Sequence, residues 1–137
     1  MRKILVGYDG SQQAARALDF AIEIAEAGGD FEIHLAYVVQ TPSGMPSPIP
    51  DEVLESLRRA GEETLLNAEK LVRRELLNPV IHLENGNPGE QLLRLADGIK
   101  PELVVLGTLE HSTSEKLLGT VSSFFLKSRR YPLLIVP

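Results

Sequence analysis

Apolar residues along this chain fall into two alternating patterns, short continuous runs and longer stretches with helical spacing. Residues 3–7 form the first run and end at Tyr8-Asp9-Gly10-Ser11. Ala14, Ala15, Leu18, Ala21, Ile22 and Ala25 then follow at the spacing of one buried helix face until Gly28-Gly29 stops them. Residues 33–39 repeat the strand pattern, and residues 41–50 hold four prolines, which predicts a surface loop rather than regular structure. From Asp51 to about residue 77, the positions Leu54, Leu57, Leu65, Ala68, Leu71 and Val72 mark a long amphipathic helix that Asn78-Pro79 terminates, with Gly61 as its weak point. Residues 80–83 predict a short third strand. Gly86-Asn87-Pro88 opens a helix carrying Leu92, Leu93, Leu95 and Ala96, and a fourth strand follows Pro101 at residues 103–106. A last helix is expected from about residue 119 to 128, before a closing strand at Leu133–Val136.

Strands and helices therefore alternate strictly, with no internal repeat. Strands apolar on both faces and joined through helices imply an α/β fold, a parallel sheet sandwiched between two helical layers by right-handed crossovers. Ligands of such sheets sit beyond the carboxyl ends of the strands, where the winding reverses. The turns that matter are then residues 7–11, 39–50 and 107–120.

Composition narrows the functional classes. With 137 residues, 43% hydrophobic and 24% charged, the chain suits one domain spanning residues 1–137. A net charge of −5 with scattered lysines and arginines argues against a nucleic-acid surface. The one basic cluster, Lys127-Ser128-Arg129-Arg130, falls at a helix C-terminus, where cations favour the dipole. Cysteine is absent, so neither a disulfide framework nor a thiolate metal site is expected. The first strand begins almost at the first residue, too short for a leader or a membrane span, which leads to the expectation of a cytoplasmic protein. The signatures G-x-x-x-x-G-K-[ST], G-x-G-x-x-G after a strand and G-x-S-x-G are missing. His34 and His82 lie in strands as packed or edge histidines, and with His111 they show no metal-ligand spacing. No residue is assigned a catalytic role, and no metal site is expected.

What remains is an anion site. The apolar fourth strand stops at Gly107-Thr108, and after a polar loop the chain reads Gly119-Thr120-Val121-Ser122-Ser123. Such a strand, turn and hydroxyl-rich helix start can turn backbone N–H groups and hydroxyls toward a phosphate. Glu110 sits in the middle of that loop, where a phosphate cradle wants a glycine or a positive charge.

Taken together, residues 3–11, Tyr37-Val38-Val39, residues 86–92, residues 103–108, residues 117–122 and residues 131–136 resemble, in this order, the universal stress protein family over nearly the full length. The resemblance implies a five-stranded parallel sheet of order 3-2-1-4-5. It also implies a homodimer joined through the last strand, Leu133, Leu134, Ile135 and Val136. The ATP-binding branch of the family carries G-x-x-G, nine residues, then G-S or G-T. Here that pattern implies nucleotide contacts at Asp9, Val38, Gly107, Thr108, Glu110, Gly119, Thr120 and Val121, with Val38 on the adenine and Asp9 on the ribose and metal side. Two departures stand out: the second glycine is Glu110, and only eight residues separate it from Gly119.

A non-glycine residue in a left-handed conformation costs about 1–2 kcal/mol, and a carboxylate about 4 Å from a phosphate adds about 1–4 kcal/mol of repulsion. Together these weaken ATP by more than about tenfold, at about 1.4 kcal/mol per decade, unless Lys116 or a Mg²⁺ ion at Glu110 offsets them. Two readings follow. In one, the protein is a dimeric stress-response interaction module, with an unidentified protein partner and weak or lost nucleotide binding. In the other, it binds ATP with Mg²⁺ as a signal, with slow hydrolysis at most.

Overall fold

The computed structural model describes residues 1–41, 44–45, 47–108 and 120–137, and at Thr120 the backbone only. Nine elements alternate: β1 (Arg2–Gly7), α1 (Gln12–Gly28), β2 (Phe31–Val39), α2 (Asp51–Arg74), β3 (Val80–Asn85), α3 (Pro88–Ile99), β4 (Leu103–Gly107), α4 (Thr120–Ser128) and β5 (Leu133–Val136). The strands form one parallel sheet of order β3-β2-β1-β4-β5, as the resemblance implied.

Side chains alternate across each strand, so the sheet has two apolar faces and needs a cover on both. Ile4, Val6, Ile33, Leu35 and Val105 face one way and pack with Leu18 and Ile22 of α1 and Leu65, Ala68 and Val72 of α2. Leu5, Ala36, Val104 and Leu106 face the other way, against Leu92 and Ala96 of α3 and Phe125 of α4. The chain crosses from one layer to the other between β3 and β4. The winding therefore reverses between β1 and β4.

Helix ends follow the local chemistry. The Ser11 hydroxyl caps α1 by accepting from the Ala14 N–H at 3.1 Å, and Gly29, at φ +84°, ends it. At α3 the Asn87 side chain accepts from the Glu90 N–H at 3.1 Å, with Pro88 in the first turn. The strands run past the apolar runs, by one residue at β1 and β4 and by two at β2 and β3. β2 begins at Phe31 and β3 runs on to Asn85, because backbone pairing to a neighbour continues through polar side chains; Asn85 still pairs in register with Val39. Gly61 is no weak point in α2. It is buried, and a Cβ there would come within 2.7 Å of the Tyr37 ring, so the missing side chain is what lets the helix lie on β2.

Candidate functional site

Where the winding reverses, the carboxyl ends of β1 and β4 open into a crevice of about 440 Å³, within the range of small-molecule sites. Five of the expected contacts line it: Asp9, Val38, Gly107, Thr108 and, at the start of α4, Val121. Glu110 and Gly119 lie outside the described residues, as does the Thr120 side chain. The apolar wall is made by Ala36 and Val38 on β2 with Leu92 of α3 and Leu106 of β4.

Gly107 has a second reason to be glycine. A Cβ at this position would stand 2.6 Å from the Gln13 carbonyl carbon and 2.8 Å from the Ala14 nitrogen, so β4 ends directly against the first turn of α1. That approach brings the start of α1 and the end of β4 into one small volume.

Three helix N-termini, those of α1, α3 and α4, supply crevice-lining residues. The first two spend donors on their own caps: the Ser11 N–H goes to Asp9 Oδ1 at 2.9 Å, the Ala14 N–H to Ser11 and the Glu90 N–H to Asn87. Thr108, which also lines the crevice, likewise commits its N–H, to the Val136 carbonyl at 2.9 Å. At α4 the situation differs. Ser122 is 1% exposed and its Oγ has no hydrogen-bond partner among the described residues, although the residue borders the crevice. A buried hydroxyl without a partner costs about 1–3 kcal/mol and marks the polar end of the cavity. Gln13 Oε1, in the first turn of α1, is buried without a partner as well.

The charges are one-sided. Among the described lining residues Asp9 and Glu90 are acidic and none is lysine or arginine. Burial, with Asp9 and Asp19 nearby, pushes the Tyr8 phenol above its ordinary value, so it stays a neutral donor at the crevice edge. Among the described residues no cluster of three or more His, Asp or Glu is placed to hold a metal ion, and no helix is long and apolar enough to cross a membrane.

The α3 wall, Asn87, Pro88, Gly89 and Glu90, is the part of the site that spacing alone does not give. Within it Gly89 is buried against the Phe124 ring, which a Cβ there would meet at 2.9 Å. The loop at residues 41–50 contributes no lining residue among those described; on that side the crevice ends at Gln40.

Comparison with known proteins matches the universal stress protein family model over residues 1–137. A universal stress protein of Methanocaldococcus jannaschii is 32% identical over 141 residues, covering 98% of this chain and 81% of its own. A solved member of the family from Burkholderia pseudomallei superposes with a TM-score of 0.77 at 28% identity, over 98% of this chain and 95% of that one. A universal stress protein solved in complex with cAMP gives a TM-score of 0.75 at 26% identity, over 99% and 97% of the two chains.

Proposed function

The chain belongs to the universal stress protein family, and on that premise we propose that its crevice takes an adenine mononucleotide in preference to ATP, as a binding module and not as an efficient enzyme. The base rests on Ala36 and Val38, the sugar lies toward Asp9, and a single phosphate is met by the α4 start and the Ser122 hydroxyl. The observation that carries this reading is the buried Ser122 Oγ, without a partner among the described residues, in a crevice that has no lysine or arginine among its described lining residues. One phosphate suits a helix N-terminus and a hydroxyl. Three or four negative charges beside Asp9 and Glu90, with Glu110 replacing the loop glycine, do not. The relative solved with cAMP carries one phosphate too. Among the described lining residues, Asp9 and Glu90 are the carboxylates that could hold Mg²⁺ together with ligand oxygens, the arrangement this ion commonly takes.

Titration calorimetry with AMP, cAMP, ATP and adenosine tests the proposal. Either monophosphate should bind at least about tenfold more tightly than ATP, a difference of about 1.4 kcal/mol. Replacing Glu110 by glycine and adding one residue before Gly119 should narrow that gap by strengthening ATP and leaving adenosine unchanged. Wild-type protein that prefers ATP, or that binds none of the four, would overturn the reading.

A further inference from the structure

Away from the polar end of the crevice, one face of β2 and β3 carries a polar chain that the nucleotide reading does not use. His34 Nε2 lies 2.7 Å from Glu32 Oε1, and His34 Nδ1 lies 2.8 Å from His82 Nε2. The two rings stack at 5.1 Å with 15° between their planes. His34 is 5% exposed, and His82 is half-buried on the edge strand. Residues 34, 36 and 38 share one face of β2, and in register His82 stands opposite Ala36 and Glu84 opposite Val38. The polar chain therefore adjoins Ala36 and Val38, the two β2 residues that line the crevice.

We infer that Glu32, His34 and His82 form a proton-operated latch that holds β3 to β2 beside the crevice wall. The Glu32 carboxylate can only accept, so His34 carries its proton on Nε2 and presents a bare Nδ1. His82 must then donate from Nε2, which leaves its own Nδ1 open. One added proton goes to that Nδ1 and leaves the chain intact. A second puts hydrogens on both facing nitrogens, which cannot remain 2.8 Å apart, and the latch opens.

The surrounding groups set the range. Burial, then the neighbouring His34, pull the His82 imidazole below its ordinary value, and Glu84 opposes them. From β1, Lys3 stands in register with Glu32 but directs its Nζ to the Ile99 carbonyl at 3.4 Å. Leu92, Leu95, Ala96 and Ile99 of α3 pack on this side of the sheet, while its charged residues Glu90, Arg94, Asp97 and Lys100, the last its C-cap, are exposed. A histidine held below its unfolded value binds its proton more readily when unfolded. Stability from the latch is then complete above the ordinary histidine range and falls as pH drops through it.

The coupling to ligand rests on the mononucleotide reading; the latch itself does not. Ring-nitrogen NMR on the unliganded protein, with amide exchange of residues 80–85, decides the latch. From about pH 8 to about pH 5, around the ordinary histidine value, His34 should begin as the Nε2–H tautomer. His82 should take up its proton across this range, and the protection of the β3 amides, taken against the intrinsic exchange rate at each pH, should fall. His82→Gln can still donate to His34 without titrating and should abolish that loss of protection; Glu32→Gln should scramble the tautomer. His34 found as the Nδ1–H tautomer at the start, or β3 protection with the same pH response in His82→Gln, would overturn the latch. Cyclic AMP, whose phosphodiester keeps one charge across this range, reports the coupling. Its affinity should fall about fivefold or more in acid for wild type and not for His82→Gln, in the usual span of coupling between sites. Tight cAMP binding unaffected by pH overturns the coupling. No cAMP binding at neutral pH overturns the crevice reading, with the latch still decided by the ring and amide data.

Discussion

Three glycines in regular elements face three different neighbourhoods, and a methyl group at each should move stability differently. Nothing lies within 4 Å of a Cβ at Gly98 in α3, so Gly98→Ala should gain about 0.5–1 kcal/mol from helix propensity alone. At Gly107 the obstruction is the backbone of α1 at 2.6 Å, which cannot yield without lifting the helix start. Gly107→Ala should therefore lose about 1–3 kcal/mol. Gly61→Ala lies between them, because the obstruction is the Tyr37 ring at 2.7 Å and a helix gain of about 1 kcal/mol offsets part of its displacement. Urea unfolding of the three variants ranks them; Gly107→Ala as stable as wild type would contradict the close approach of β4 and α1. Ser122 separates stability from function in a single side chain. Ser122→Ala removes a buried hydroxyl that has no partner among the described residues, so unfolding should show unchanged or slightly raised stability. Calorimetry should show AMP weakened about tenfold or more, because a hydrogen bond to a charged group is lost. A destabilised Ser122→Ala that binds AMP normally would remove the phosphate role.

Helix caps show why some elements were legible in the sequence and others were not. Ser11 before α1 and Asn87-Pro88 before α3 are local signals, readable without a neighbour, and both helices start where those residues say. The cap at α3 also predicts a graded outcome. Asn87→Ala should cost about 1 kcal/mol and Asn87→Gly only a few tenths, since glycine tolerates the cap backbone; equal losses in thermal unfolding would mean that Asn87 stabilises by another route. Sheet order was readable only through resemblance, because alternation implies a parallel sheet without saying which strands touch. The extra length of β3 was hidden for the same reason: Glu84 and Asn85 are strand residues only because Val38 and Val39 lie beside them. The histidine pair illustrates the limit most sharply. Residues 34 and 82 are 48 positions apart and come within 2.8 Å through the β2–β3 ladder. In the crevice, Asp9, Val38 and Gly107 were identified from sequence by resemblance, whereas the orphan hydroxyl of Ser122 is a property of packing that no local pattern announces.

At the scale of the whole molecule the open question is what covers β5. Its inner side pairs with β4 from Leu133 to Val136, and as the last strand in the sheet its outer side pairs with no strand among the described residues. Leu133, Leu134 and Ile135 are half-buried and Val136 is buried, and the strand carries no charge or interior proline. An edge of this kind is an invitation to pair with another chain, since the usual defences are lysine, proline, a bulge or a covering loop. Arg16 reaches the edge only at its end, donating to the Pro137 carbonyl at 2.6 Å. The covering partner we propose is a second copy of the same strand. Apolar cover over Leu133 to Ile135 would join the two sheets while leaving both crevices, at the β1–β4 reversal, on separate sides of the pairing. Light scattering at micromolar concentration should then give twice the chain mass of 15.1 kDa. Ile135→Lys places a charge on the paired edge without touching the crevice, so it should shift the protein toward monomer and leave AMP affinity within about twofold, a difference of about 0.4 kcal/mol. A wild-type monomer at that concentration would end the proposal. A monomeric Ile135→Lys that also loses AMP would show instead that the crevice depends on the pairing.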